Sequence, residues 1–185
     1  VLKGFLNQDG INTLKDQAKS VDAKGFKSFS RTNPYFTKDD PTLPPSDPRR
    51  RFFDRSNSFI AADNFPKGSP LRALYEYPEM TSFIRDCLQE PNFYPYADPL
   101  ADVIINAADE GNGFPWHFDT NNFTVTLAIQ NADQGGAFEY AQNIRAGSEN
   151  FTEVEAVLDG TSDNVMTLEL DPGDLQIFRG RYSLH

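Results

Sequence analysis

The chain has 185 residues, 38% of them hydrophobic, which suits one packed domain and is too apolar for wholesale disorder. Its 27 acidic and 17 basic residues give a net charge of -10, which repels phosphate backbones and argues against nucleic acid as a partner. A single cysteine, Cys87, excludes an intrachain disulfide and a cysteine-based metal site. No apolar run suits a bilayer span or a signal peptide, so a cytoplasmic setting is expected.

The N-terminal stretch reads as a helix, with Leu6, Gly10, Leu14, Ala18 and Val21 roughly along one face and Gly25 as its stop. From Arg31 to Asp54 the prolines Pro34, Pro41, Pro44, Pro45 and Pro48 rule out a regular helix. This segment reads as a long loop wrapping the domain, either functional or a surface linker. Arg49-Arg50-Arg51 within it reads as a solvated turn. Ser69-Pro70-Leu71 opens a helix with Pro at its first position. Another helix follows Pro78, with Met80, Phe83, Ile84, Cys87 and Leu88 on one stripe, which makes Cys87 a small core residue.

The period then changes from helical to alternating. Strands are expected over 102–108, over 123–130 and over 136–140. In the second of these Phe123, Val125, Leu127 and Ile129 alternate with Thr124, Thr126 and Gln130. Asn150 caps a helix carrying Phe151, Val154, Val157 and Leu158. Strands resume over 165–170, turn at Asp171-Pro172-Gly173-Asp174, and run from Leu175 to Phe178 and on to His185. Helices over about 1–100 and strands over about 101–185 predict one α+β domain spanning 1–185. The helices pack on an antiparallel sheet or on a double-stranded β-helix of the jelly-roll, cupin-like kind.

There are only two histidines. One lies in Trp116-His117-Phe118-Asp119, and the other is His185. Positions i and i+2 of a strand share a face, so His117 and Asp119 can offer a nitrogen and an oxygen to one ion. His185, from a distant strand, would complete a facial triad. Two histidines and one carboxylate, with open positions opposite, is the arrangement of non-haem iron(II) oxygenases. The open positions leave room for a bidentate 2-oxo acid and for O2. A His-x-Asp pair alone is also compatible with an ordinary surface hydrogen bond.

Other residues are candidates for the pocket. Arg181, four before His185, shares its face if the strand is regular and then reaches an anionic cosubstrate; otherwise it makes an outward salt bridge. Thr126 and Gln130 are placed to orient cosubstrate or ligands. Glu139 is a candidate for a substrate ammonium and Arg145 for a substrate carboxylate, unless both face solvent. Trp116 either walls the pocket or joins the core.

Three segments resemble the metal-binding framework of 2-oxoglutarate oxygenases. They are His117-Phe118-Asp119 through Gln130, Gly135-Gly136-Ala-Phe138-Glu139-Tyr140 with Asn143-Ile-Arg145, and Pro172-Gly173-Asp174 through Phe178-Arg179-Gly180-Arg181-Tyr-Ser-Leu-His185. Upstream, Ser69-Pro70-Leu71-Arg72 and Tyr94-Pro95-Tyr96-Ala97-Asp98-Pro99-Leu100 fit the same pattern. From about Arg49 onward the chain resembles a bacterial family that includes halogenases and hydroxylases of free amino acids. The resemblance implies Fe(II), 2-oxoglutarate as cosubstrate, O2 and a small-molecule substrate such as an amino acid. Halogenases of that family have Gly where this chain has Asp119, which opens a position for chloride; the carboxylate here implies hydroxylation. The family's basic anchor for the cosubstrate's distal carboxylate lies beyond its second histidine. The sequence begins without methionine and stops at His185, so it is expected to be part of a longer chain, or else the cosubstrate is held differently. The rival expectations are a non-redox metal-dependent cupin enzyme and a non-catalytic binding barrel.

Overall fold

A computed structural model describes residues 1–185. Its helices are α1 (Gln8–Val21), α2 (Pro70–Tyr75), α3 (Pro78–Leu88) and α4 (Phe151–Leu158). Its strands are β1 (Phe26–Thr32), β2 (Phe53–Ile60), β3 (Ile105–Ala107), β4 (Thr124–Leu127), β5 (Phe138–Ala141), β6 (Val165–Leu168) and β7 (Leu175–Phe178). No helix is long and apolar enough to cross a membrane.

α1 begins where the Asn7 side chain accepts from the Gly10 N–H, satisfying one of the free donors of the first turn. It buries Ile11, Leu14 and Val21. α2 and α3 both carry Pro in the first turn, where its missing N–H costs nothing. α3 fully buries only Ile84, and Cys87 is exposed. The expected core cysteine is therefore corrected: Leu88 takes the inward position one turn after Ile84, and Cys87 turns outward.

The order of helices first and strands later is also corrected. β1 and β2 pair antiparallel along their whole length, from Phe26 opposite Phe59 to Thr32 opposite Phe53. β3 adds to the other edge of β2. β1 escapes an alternation search because Phe26 and Phe29 lie on opposite faces and both are exposed. The proline-rich segment is the connection of this long hairpin. Asn33, fully buried, fixes its start: Nδ2 donates to Thr37 and to the Arg49 carbonyl, while Oδ1 accepts from the Tyr35 and Thr37 N–H groups. Arg49, Arg50 and Arg51 pair with Asp47, Asp39 and Asp159. The basic run is thus a set of tethers rather than a solvated turn.

Two small sheets carry the C-terminal half. β4 pairs with β7, Thr124 opposite Phe178 and Thr126 opposite Gln176. β5 pairs with β6, Phe138 opposite Leu168. β7 does not continue to His185. It stops at Phe178, and the Tyr182 and Ser183 N–H groups both donate to the Arg179 carbonyl in a turn. The chain then re-enters beside β5, where the Ala141 N–H donates to the Leu184 carbonyl at 2.8 Å. The two sheets meet where Phe178 sets its edge against Phe138, with ring centroids 5.3 Å apart.

α4, capped by Asn150 as expected, lies over a core of Phe118, Ala141, Val154, Val157 and Leu184. A second cluster of Val21, Ile60 and Phe65 joins α1 to the three-stranded sheet. The N-terminal segment is pinned to β7: Leu2 and Leu175 exchange backbone hydrogen bonds. Asp174, 2% exposed, accepts from Lys3 Nζ at 2.7 Å and from the Gly4 and Asp171 N–H groups.

Candidate metal centre

The backbone brings the two histidines together. His117 N–H donates to the His185 carbonyl at 2.8 Å, and His185 N–H returns the bond at 3.1 Å. This is a hydrogen-bonded antiparallel pair, whose side chains share one face. The rings lie 4.3 Å apart between centroids. Phe118, between His117 and Asp119, points the other way into the core under α4. Asp119 is held from behind, its N–H donating to the Gly180 carbonyl at 3.0 Å.

The result is a tight cluster. His117 Nε2 lies 3.7 Å from Asp119 Oδ1, and His185 Nε2 lies 3.6 Å from Oδ2. The candidate ligand atoms of the three residues lie within 4.8 Å of one another. Both imidazoles are oriented by backbone: His117 Nδ1 lies 2.9 Å from the Pro115 carbonyl, and His185 Nδ1 2.9 Å from the Ser183 carbonyl. A carbonyl only accepts, so each Nδ1 carries the hydrogen and each neutral ring turns a lone pair at Nε2 toward the carboxylate.

Three acceptor groups therefore face one another, and the only side-chain donor to them is the Thr124 hydroxyl on Asp119, an arrangement that a cation satisfies. A proton is disfavoured there: burial, followed by the neighbouring His185, depresses His117 to a pKa of about 4. Burial alone would raise Asp119, but a hydrogen bond from the His185 ring when it is protonated, and one from the Thr124 hydroxyl, outweigh it and hold the carboxyl below its ordinary range. Thr124 Oγ1 donates to Asp119 Oδ2. The residues thus fit a metal ion.

Gly180 makes the carboxylate possible. A Cβ built on Gly180 would overlap the Asp119 carboxylate oxygen and crowd its carbons. The Gly lies in the turn that replaces the expected strand, directly behind the ligand.

One functional candidate escaped the sequence reading. Arg55, on β2, puts its guanidinium 5.6 Å from the Phe36 ring and 5.2 Å from the Phe114 ring. Both rings also pack against His117. Its Nε is buried without a hydrogen-bond partner. Burial lowers its pKa, and Asp119 is the charge that acts against this. Phe36 has a left-handed backbone, φ 54, an unusual state for a bulky residue. Phe118 N–H donates to the Pro34 carbonyl, so this strap is tied to the ligand strand.

The other expected site residues lie away from the triad. Arg145 ion-pairs with Glu149 and lies over the Phe118 and Tyr35 rings, on the core side of the ligand strand. Glu139 is exposed between Phe138 and Tyr140, so it points away from the face on which Phe138 meets His185. Trp116 packs on the core cluster. Arg181 is exposed in the 179–183 turn, where the strand spacing that put it beside His185 does not hold. Thr126 and Gln130 are exposed; Thr126 sits opposite Gln176, two residue pairs beyond the Thr124 that does reach Asp119.

A His-x-Asp pair closed by a second histidine on an antiparallel framework is of the kind that holds a catalytic metal. A family model described as halogenase D matches residues 39–185. The chain belongs to that family and is therefore grouped with halogenase-like enzymes. A comparison with curated proteins finds no match.

Proposed function

We propose that the protein is an Fe(II)/2-oxoglutarate-dependent oxygenase that hydroxylates a free amino acid or similar small molecule. The observation that carries this is the Asp119 carboxylate facing both Nε2 lone pairs at 3.6 and 3.7 Å. His117, Asp119 and His185 would hold the iron. Iron(II) with 2-oxoglutarate and O2 supplies the oxidising power for an unactivated C–H bond. The protein's part is positioning and exclusion of water.

Each residue has a stated task. The Pro115 and Ser183 carbonyls keep hydrogen on Nδ1, leaving Nε2 free to bind metal. Thr124 orients Asp119 and helps keep it ionised. Arg55 replaces Arg145 as the partner of a substrate carboxylate, because its buried Nε is unsatisfied and its rings border His117. Phe36 and Phe114 hold that guanidinium beside His117.

The fold reading is a double-stranded β-helix. Its support is the pattern of pairing: the His117 segment, the His185 segment, β5 and β6 follow edge to edge, while β4, β7 and Leu2 make the opposing sheet. The reaction reading favours oxygen insertion over halogenation, because Asp119 fills the position that a halide needs. The test is mass spectrometry of products from candidate amino acids, in high chloride, with Fe(II), 2-oxoglutarate and O2. A hydroxylated product formed only with 2-oxoglutarate supports the reading. A chlorinated product overturns the role of Asp119, and turnover without 2-oxoglutarate favours a non-redox metal enzyme.

A further inference from the structure

β1 is an edge strand, paired with β2 on one side and with no strand on the other. A bridge on the far side of β2 shows which of its backbone groups are left free. Ser56 and Gly113 exchange N–H···O=C bonds of 3.2 and 2.9 Å, so the Ser56 backbone groups point away from β1. Ser56 stands opposite Phe29. In an antiparallel ladder both residues of such a pair turn their backbone groups away from each other. Phe29 therefore presents its N–H and its carbonyl to the open edge, and by the period of two Lys27 and Arg31 do the same. No loop or neighbouring strand bonds to these groups.

The side chains of this edge narrow down what covers it. Phe29 is 74% exposed, and it lies between Lys27 and Arg31 on one face of the strand. Charged side chains ordinarily blunt an edge against pairing. Here each cation has its own acid: Lys27 Nζ lies 3.6 Å from Asp109, and Arg31 Nε 3.4 Å from Asp54. The edge therefore has little net charge with which to draw an acidic or a basic peptide, and little with which to repel its own copy. β1 is also symmetric about its middle. Of its residues Phe26–Thr32 the central one is Phe29, with Ser28 and Ser30 beside it and a cation next on either side.

We propose that β1 is a self-association surface, on which a second copy of this chain lays its own β1 antiparallel, about a two-fold axis through Phe29. That register sets Phe29 opposite Phe29, and Lys27 of each copy opposite Arg31 of the other. Each of these pairs exchanges an N–H···O=C bond in both directions, so every outward backbone group of the edge gains a partner. The two exposed Phe29 rings become a cross-strand aromatic pair. The small serines meet on the other face, Ser28 of one copy against Ser30 of the other. Two three-stranded sheets join into one continuous sheet, and the interface is isologous and closed.

The experiment is sedimentation equilibrium of the metal-free chain over a range of concentrations. A single strand pair is a small interface, so a monomer–dimer equilibrium with a dissociation constant of about 10–100 µM is expected. Phe29→Lys removes the aromatic pair and adds like charges at the axis, and should weaken the dimer about tenfold or more. Lys27→Pro deletes one outward N–H and leaves the ladder to β2 intact, because Lys27 donates nothing to β2; it should also weaken the dimer about tenfold. The register has its own readout in a Cys87→Ser background, since Cys87 is exposed. Phe29→Cys should cross-link to its own copy under mild oxidation, because Cα atoms opposed in such a pair are about 5.5 Å apart, within disulfide reach. Lys27→Cys, which faces Arg31, should not. This cross-link reads the same contact if the proline variant fails to fold. A native chain that stays monomeric at about 1 mM, native dimer affinity in Phe29→Lys and Lys27→Pro together, or cross-linking through Lys27→Cys and none through Phe29→Cys, overturns the proposal. None of these readouts involves a metal, so the iron reading stands or falls separately.

Discussion

Asp119 and Gly180 form one unit, because the carboxylate occupies the space that any side chain at 180 would fill. Gly180→Ala should push Asp119 out of line and weaken Fe(II) binding about tenfold or more. In an Asp119→Gly background the same Ala should cost little, since the obstacle is gone. Metal titrations of the four proteins make a double-mutant cycle; additive effects would contradict the contact. Arg55→Leu should raise KM for a carboxylate-bearing substrate about tenfold or more while leaving Fe(II) affinity near native. Steady-state kinetics with iron titration separate the two, and an unchanged KM would remove Arg55 from the site. The clustering of His117, Asp119 and His185 was legible because the chain has only two histidines and one sits two residues from an acid. Arg55 was not, because an arginine in a polar strand reads as surface until its Phe36 and Phe114 neighbours are known. Arg145 and Glu139 carried the right charges but face away from the ligand strand's metal side.

Leu184, 0% exposed, ties the core under α4 to the adjacent His185. Leu184→Ala should cost roughly 2–5 kcal/mol in urea unfolding and weaken Fe(II) binding as well, since His185 loses its footing. Stability loss without any change in metal affinity would uncouple the two. At β7 the pin is Asp174. Its hydrogen bonds from Lys3, then from the Gly4 and Asp171 backbones, outweigh desolvation and hold its pKa at about 2. A depressed carboxyl stabilises the fold above its unfolded pKa and ceases to do so as pH falls through the folded one. The native protein should therefore lose this contribution between about pH 4 and pH 2. Asp174→Asn should be less stable at neutral pH and should lack that part of the acid limb. Urea midpoints across that range check it; parallel acid limbs would refute it. β7 and α4 were legible because alternation and an Asn cap are local signals. β1 and β2 were not, since a hairpin closed by a connection of twenty residues with five prolines leaves no local turn signature.

At the scale of the whole molecule the presence of both helices and antiparallel strands was legible, but the division into a helical half and a stranded half was not. The three-stranded sheet is built from both: β1 and β2 come from before the helices α2 and α3, and β3 from after them. Long-range pairing of this kind depends on partners that no window of the sequence contains. The same topology delivers the centre, since the Pro34 carbonyl, the 117–119 strand, β5 and the chain's last residues meet at one place. The central claim is that His117, Asp119 and His185 hold one iron there. Native mass spectrometry after anaerobic loading with Fe(II) measures this directly. One iron per chain is expected for the native protein, none for His117→Ala or His185→Ala at the same Fe(II) concentration, and weaker loading for Asp119→Ala, which keeps two of the three ligands. Iron retained at native stoichiometry by the folded triad variants, or absent from the native protein, would contradict the account.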